Sequence, residues 1–331
     1  MDPLFNSTSL FQVTCTDPDE FLEKAVGWDI EHYQLAPGAY RISMDILHTK
    51  NIQISNVSHH VGILERGYIP NDACAISLPT LLSSKPLHYR GGILEKDQCP
   101  ALLSGEEYET FSSGGVNYVT LVVETALLDK VSRLVRGQDF SSLVQQQRVY
   151  ISRQSQQWLR QSIATFMNFQ NISLGAPGGG QQSLLETQLL EQLLLAIQPP
   201  PGKIPKFPNR IVVARQAKQD IQDHLQQQLS IEQICDHIGC SMRTLHLGFK
   251  ECYGTTPRQY ARTLALNAVH RQLGRLSPNE TIADIAMRWG FYHLGRFSHQ
   301  YKTLFCELPS ETVKRYRESS PDFSGVVTTA V

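Results

Sequence analysis

The chain has 331 residues, 41% of them hydrophobic and 18% charged, with a formal net charge of −1. That length and balance suit two globular domains and exclude an intrinsically disordered chain. It contains no apolar run of about eighteen residues, the length a membrane-spanning helix needs.

The N-terminus, Met1 to Ser7, has neither a basic start nor an apolar core. It does not read as a secretory signal, so a cytoplasmic protein is expected. Cys15, Cys74, Cys99, Cys235, Cys240, Cys252 and Cys306 form no Cys-x-x-Cys pair. Zinc sites and disulfide frameworks want paired spacing, so free, mostly buried thiols are expected.

Residues 1–140 read as mostly strand. Short apolar runs (Tyr40–Ile46, Ile52–Ile54, Val61–Leu64, Ala75–Leu78, Gly91–Leu94 and Tyr118–Val123) are separated by turn residues such as Pro37-Gly38, Pro70-Asn71-Asp72 and Ser112-Ser113-Gly114-Gly115. Many short strands at this spacing predict a barrel or sandwich. His48, His59, His60 and His88 raise the question of a metal-bound barrel. Adjacent residues of a strand point to opposite faces, so His59 and His60 do not serve one ion. No metal and no other cofactor is assigned.

The pattern turns helical over Gln145–Phe169, breaks at Gly175–Gly180, and resumes at Ser183–Ile197. The glycine run lacks a Gly-Lys-Ser/Thr ending and a preceding strand, so it reads as a linker and not as a phosphate loop. Leu185, Leu189, Leu193 and Ala196 mark one apolar face of the last helix, either core or a dimer seam. Residues 141–198 are therefore a helical linker and dimerisation segment. Pro199-Pro200-Pro201-Gly202 ends the helix and opens a stiff tether over residues 199–208.

Residues 203–318 carry 17 Lys+Arg against 10 Asp+Glu, whereas residues 1–202 carry 13 against 20. A basic C-terminal part on a neutral chain is the electrostatic footprint of a nucleic-acid-binding module. From Arg210 the pattern is almost entirely helical. Ser230 caps a short helix with Ile231, Ile234, Cys235 and Ile238 inward, and Cys235 supplies a small residue where two helices cross. Gly239 suits a left-handed turn, and Ser241 caps the next helix. Leu245 and Phe249 pin that helix to the core and leave residues 242, 243, 246, 247 and 250 outward. The pattern returns 51 residues later: Ile282, Ile285 and Ala286 inward, Gly290 at the turn, Phe297 and Tyr301 as anchors. These are two helix-turn-helix units, the second with a turn one residue longer. His237, His270 and His293 read as exposed or capping residues. Residues 319–331 read as a flexible tail.

Residues 210–318 resemble the DNA-binding domain of the AraC/XylS family of transcription regulators. The resemblance rests on Gly254-Thr-Thr-Pro257-Arg-Gln-Tyr260, Ile285-Ala-Met-Arg-Trp-Gly-Phe291, Phe297-Ser-His-Gln-Tyr-Lys302 and Leu308-Pro309. Within the family, Asn267–Leu273 and Ala286–Phe297 are most similar to ethanolamine-operon-type regulators, as is Gly105–Phe111.

The resemblance implies a rigid seven-helix domain over residues 209–318, in which the helix from Pro257 to Leu273 joins the two units. Both recognition helices then enter successive major-groove segments roughly 34 Å apart. It implies that Arg243, His246, Leu247, Gly295, Arg296 and His299 face bases. Ser241, Lys250, Lys302 and the helix N-termini face phosphates. Leu247 stands where many relatives carry arginine, and Gly295 offers no side chain, so DNA shape shares in recognition.

The fold expected is multidomain α+β: a strand-rich, barrel-like (cupin-like) sensing domain, a helical segment, and an all-α double helix-turn-helix domain. The function expected is a sequence-specific transcription regulator, an activator, answering to a small-molecule effector whose pocket residues the sequence does not name. Its partners would be double-stranded DNA, RNA polymerase and a second copy of itself, with no membrane. An architectural DNA binder does not require so large an acidic N-terminal domain. A thiol-based alkyl-repair enzyme needs a four-cysteine zinc site that Cys15, Cys74 and Cys99 cannot supply. The chain is therefore not read as an enzyme.

Overall fold

A computed structural model describes residues 9–25, 28–82, 84–173, 179–202, 208–227, 229–277 and 279–319. The middle of the expected tether (203–207), most of the tail (320–331) and the start of the glycine run (174–178) lie outside the described residues. Gly179 and Gly180 already belong to a helix.

The N-terminal half runs β1 (Ser9–Cys15), α1 (Pro18–Lys24), β2 (Asp29–Gln34), β3 (Ile42–His48), β4 (Ile52–His59), β5 (Ile63–Tyr68) and β6 (Ala73–Leu81). There follow β7 (Leu87–Tyr89), β8 (Gly92–Ile93), β9 (Gln98–Leu102), β10 (Glu107–Ser112), β11 (Val116–Glu124) and α2 (Thr125–Arg136). It closes with β12 (Arg148–Ile151), α3 (Arg153–Ser173), α4 (Gly179–Ala196) and β13 (Ile197–Gln198). The strands form two antiparallel sheets. One has the order β1-β3-β4-β11-β6-β9-β12-β13, the other β2-β5-β10-β7-β8. Together they make the strand-rich, barrel-like domain.

The larger sheet shows why alternation matters. Along β4, Ile52 and Ile54 are buried in an apolar core, while Gln53, Ser55, Val57 and His59 line a cavity on the other face. Along β6, Cys74, Ile76 and Leu78 enter the same core, and Ala75 and Ser77 face the cavity. Successive strand residues point to opposite faces, so a mixed polar and apolar sequence serves two surfaces at once. α2, α3 and α4 cover the core side, with Leu128, Val131, Leu159, Ile163, Leu189, Leu190, Leu193 and Leu194 buried against the sheet.

Residues 141–198 are therefore more than a linker. β12 pairs with β9 and β13 with β12, extending the larger sheet. Within the leucine helix, Leu189 and Leu193 are buried, and Leu185 and Ala196 pack against the same core. That face is turned inward and is not available as a seam.

β1, β2, β7, β9 and β10 were not expected from the sequence. In β2 (Asp-Ile-Glu-His-Tyr-Gln) and β10 (Glu-Tyr-Glu-Thr-Phe-Ser) polar residues fall on both faces. Neither face is a plain hydrocarbon core, so the usual apolar alternation is missing.

The C-terminal part has seven helices among the described residues: α5 (Asn209–Asp223), α6 (Ile231–Ile238), α7 (Met242–Tyr253), α8 (Pro257–Leu273), α9 (Ile282–Arg288), α10 (Leu294–Phe305) and α11 (Pro309–Ser319). They enclose two apolar cores. α8 contributes Tyr260 and Leu264 to the first, and Ala265, Leu266, Val269 and Leu273 to the second. One continuous helix thus ties the two units together.

Candidate nucleic-acid interface and effector cavity

Each helix-turn-helix unit is set by local chemistry. Ser230 accepts from the Gln233 backbone N–H while the Gln233 side chain accepts from the Ser230 N–H, a reciprocal cap that starts α6. Gly239 takes the left-handed turn at φ +69°. Ser241 Oγ then accepts from Thr244 N at 3.2 Å and starts α7. In the second unit Thr281 and Asp284 form the same kind of box, and Gly290 turns at φ +75°. α10 begins after His293, whose side chain makes no capping bond.

α7 buries Leu245, Gly248, Phe249, Cys252 and Tyr253, and α10 buries Phe297, Tyr301, Leu304 and Phe305. The opposite faces are open: Arg243, His246, Leu247 and Lys250 on α7, and Gly295, Arg296, His299 and Lys302 on α10, are all exposed. The arginines differ from Lys250. Lys250 Nζ donates to the Gly254 carbonyl at 3.1 Å, capping its own helix. Among the described residues neither Arg243 nor Arg296 is hydrogen-bonded or ion-paired. Arg262, near Arg296, donates to Gln300 at 2.7 Å and lies over the Phe291 ring. Burial, with the Arg296 and Arg258 guanidiniums, lowers its pKa. Such a concentration of positive charge suits phosphate.

The tightest helix crossing is not at Cys235. A methyl group on Gly248 would overlap the Arg210 carbonyl oxygen, so α5 and α7 touch backbone to backbone there. Cys235 is buried without that constraint. His270 departs from the sequence expectation as well: it is buried, its Nε2 3.6 Å from Asp17 and 3.5 Å from Glu307. His237 is exposed and bonds to Asp220.

The second site lies between the two sheets. A cavity of about 830 Å³ is lined by alternate residues of both, by α1 and by Trp28. Its ring walls include Phe21, Trp28, Tyr89, Tyr108 and Tyr118, and Glu65 projects from β5 into it. His32 Nδ1 donates to Glu65 Oε2 at 3.2 Å, and Tyr108 Oη donates to Oε1 at 3.1 Å. Burial alone would raise the Glu65 pKa; the His32 bond, the nearby imidazoles and Tyr108 hold it below the ordinary value. His59 stacks on His32 with ring centroids 5.4 Å apart. Burial pushes its pKa down to about 3, so it stays uncharged at neutral pH. His60, its neighbour, is exposed. Among the described residues no group of three His, Cys, Asp or Glu is placed to hold a metal ion.

The smaller sheet carries the cavity on one face and the helical domain on the other. Arg66 grips both Glu31 oxygens at 2.7 Å and donates to Gln222 of α5 at 3.0 Å. Glu109 pairs with Lys218, and Phe111 meets Tyr253 edge to face at 5.9 Å. Asn267 of α8 and the Gln34 backbone exchange bonds of 2.9 and 2.8 Å, and Gln34 Nε2 donates to the Leu304 carbonyl. At the start of α1, Asp17 accepts from Tyr316 at 2.6 Å and pairs with Arg315 at 2.8 Å. Sequence reasoning missed this cavity and this junction, because the residues that meet are far apart in the chain.

Two helix-turn-helix units with open recognition faces, joined by one helix, define a DNA-binding module. Residues 234–315 match the family described as "Helix-turn-helix domain". The chain is 36% identical over 103 residues to the probable thc operon regulatory protein of Rhodococcus erythropolis, covering 31% of each. It is 36% identical over 98 residues to the XylDLEGF operon transcriptional activator 3 of Pseudomonas putida, covering 29% of this chain and 30% of that one. A probable AraC family transcriptional regulator from Rhodopseudomonas palustris is 28% identical and covers 32% of this chain and 97% of that one, with a TM-score of 0.31. The chain thus spans about a third of the length of these curated relatives. Its C-terminal third is similar in sequence to the helix-turn-helix parts of these regulators.

Proposed function

We propose that the chain is a sequence-specific transcription regulator, an activator, whose N-terminal cavity holds a small-molecule effector. The observation that carries this reading is the layered arrangement. One sheet has a large cavity on one face and the double helix-turn-helix domain on the other, with both recognition faces left open. Arg243, His246, Leu247, Gly295, Arg296 and His299 are the residues we assign to bases. Ser241, Lys250 and Lys302 we assign to phosphates, with the Ser241 hydroxyl already committed to its cap. Double-stranded DNA is the primary partner, RNA polymerase the partner of activation, and the cytoplasm the setting. Among the described residues no helix is long and apolar enough to cross a membrane.

Cys15 and Cys99 are buried and free, and burial pushes their thiols up to about 11 and about 12, far from the reactive thiolate. A homodimer is joined, on this reading, through the N-terminal half. With the Leu189 and Leu193 face turned inward, exposed apolar side chains on the helical layer include Leu134, Leu184, Leu195, Trp158 and Phe169, and Trp158 with Phe169 of α3 is the patch we assign to the seam.

The test is selection of duplexes from a random pool by the full-length chain, followed by binding across a salt series. An enriched motif with two segments about one helical turn apart is expected. Affinity should fall steeply with salt, since Lys and Arg displace condensed counterions. Recovery of unselected sequence, with equal affinity for every duplex, would refute the sequence-specific reading.

A further inference from the structure

The cavity has a definite electrostatic character. Glu65 is the charged side chain within it. The other charged residues of its lining, Glu23 and Lys24, stand exposed on α1. Glu65 keeps 16% of its side-chain surface accessible, and it lines the cavity. His32 and Tyr108 each donate to one carboxylate oxygen. An sp² oxygen has a second acceptor position, so the carboxylate can still take a donor from the cavity. The two donors hold the carboxylate ionised and leave acceptor positions open toward the cavity. His59, beside it, adds none at neutral pH.

The walls agree with this field. Phe21, Trp28, Tyr89, Tyr108 and Tyr118 present aromatic surface, and ring faces attract cations most strongly where water is excluded. Trp28 and Tyr108 meet edge to face at 6.4 Å, and Trp28 Nε1 donates to Gln53, which leaves its ring to the cavity. Val57, Ile69 and Leu102 complete an apolar lining. A volume of about 830 Å³ is far more than an ammonium group fills, so the occupant has an apolar body.

Resting on the reading of this cavity as the effector site, we infer that it takes an organic amine in its protonated form. The ammonium sits on the free acceptor positions of Glu65, and an apolar or aromatic body lies among the ring walls. A carboxylate or phosphate ligand would instead meet the Glu65 carboxylate, and among the described lining residues the one Lys or Arg is Lys24, exposed on α1.

The experiment is calorimetric titration of the full-length chain with two matched trios: phenethylamine, phenethyl alcohol and phenylacetate, then tryptamine, tryptophol and indoleacetate. In at least one trio the amine should bind about tenfold or more tighter than its alcohol and acid, the scale of a charge-assisted hydrogen bond. Glu65→Gln should abolish that preference, lowering the amine's affinity about tenfold or more toward that of the alcohol. If Glu65→Gln does not fold, the ranking within the wild-type trios decides alone. An alcohol that binds as well as its amine overturns the inference in favour of a neutral ligand. An acid that binds best overturns it while leaving the cavity as an effector site. Failure of all six compounds at millimolar concentration also overturns it. DNA binding by the same sample, measured in parallel, reports separately on the regulator reading.

Discussion

Glu65 and Arg66 are consecutive on β5 and serve opposite faces of one sheet. Glu65 enters the cavity, held by His32 and Tyr108. Arg66 leaves the other face and joins Glu31 to Gln222 of α5. The pleat separates them, yet they share a peptide bond, so a shift of one moves the other. β10 repeats the device: Tyr108 and Thr110 face the cavity, while Glu109 and Phe111 meet Lys218 and Tyr253. An effector that displaced β5 or β10 would act directly on the seat of the DNA-binding domain.

Arg66→Ala tests that seat. The substitution deletes a bidentate pair and leaves Glu31 partly buried without its cation. The Glu31 pKa, raised by burial, is held low chiefly by Arg66. A loss of up to about 1 kcal/mol in stability is expected, because the Glu31 carboxylate is more than a third exposed and water replaces part of what the cation supplied. Denaturant titration checks this, and small-angle scattering should show a larger radius of gyration as the domains part. An unchanged midpoint and radius would mean that the other contacts suffice.

Two glycines in the recognition helices should respond oppositely to alanine. At Gly248 the added methyl meets the Arg210 carbonyl, so Gly248→Ala must push α5 and α7 apart. Overpacking of this kind costs about 1–3 kcal/mol or more. At Gly295 nothing lies within 4 Å of the added methyl. Gly295→Ala should therefore gain up to about 1 kcal/mol, as helix propensity gives. Thermal melts of both variants decide it. A Gly295→Ala variant that is more stable but binds DNA less well would mark that position as one of close approach to the duplex.

Acid should destabilise the N-terminal domain early. Burial lowers the pKa of His59 from 6.5 to about 3 and that of His88 to about 4. A depressed folded-state value means that the unfolded chain binds protons more readily. The stability is fully present above about pH 6.5 and is lost as pH falls toward those folded values, at up to about 1.4 kcal/mol per pH unit for each histidine. Glu307 adds a second window. Burial raises it, but His270, Arg315 and Thr312 bring it down to about 2, so its contribution fades from about 4.5 down to that value. Melting temperature should fall between pH 7 and pH 5, and His88→Leu should flatten the slope. An equally steep slope in that variant would remove His88 from the account.

How far the sequence carried is clearest in particular residues. Gly239 and Gly290 were legible because a left-handed turn leaves few alternatives to glycine. Leu245, Phe249, Phe297 and Tyr301 were legible because helical spacing places them on one face, and all four are buried. The cavity was not legible. Glu65 meets His32 and Tyr108 across 33 and 43 residues of chain, and no local pattern says that a glutamate in a strand faces inward. His270 was misread for the same reason. Its neighbour Asp17 lies in the other domain, so from its own helix it looks like one more polar surface residue.

Oligomerisation should be sensitive to Trp158. If the helical layer around Trp158 and Phe169 is the seam of a homodimer, Trp158→Glu places a charge where an apolar face must be desolvated. Sedimentation should then change from dimer to monomer at tens of micromolar, while the melting temperature stays near that of the parent chain because Trp158 is half-exposed and outside the buried core. A dimer that survives the substitution would move the seam elsewhere.

Reading of bases can be separated from gripping of phosphates. Arg243 and Arg296 stand in the first turns of α7 and α10, exposed and without intramolecular partners among the described residues. An arginine in that position can reach the O6 and N7 edge of a guanine with both arms of its fork. Replacing either by alanine should cost about 1–3 kcal/mol on the selected site and relax preference at one base pair. Lys250 lies two turns further along α7 and is engaged with the Gly254 carbonyl, so it can offer a point charge to the backbone but no base-specific fork. Lys250→Ala should weaken selected and scrambled duplexes alike and lower the salt slope by about one unit. None of the three residues belongs to the buried anchoring set, so each variant should melt close to the parent chain. The measurement is binding of each variant to both duplexes across a salt series. Equal losses on the two duplexes for Arg243→Ala and Arg296→Ala would make both arginines phosphate clamps. Specificity would then rest on His246, His299 and the deformability of the DNA.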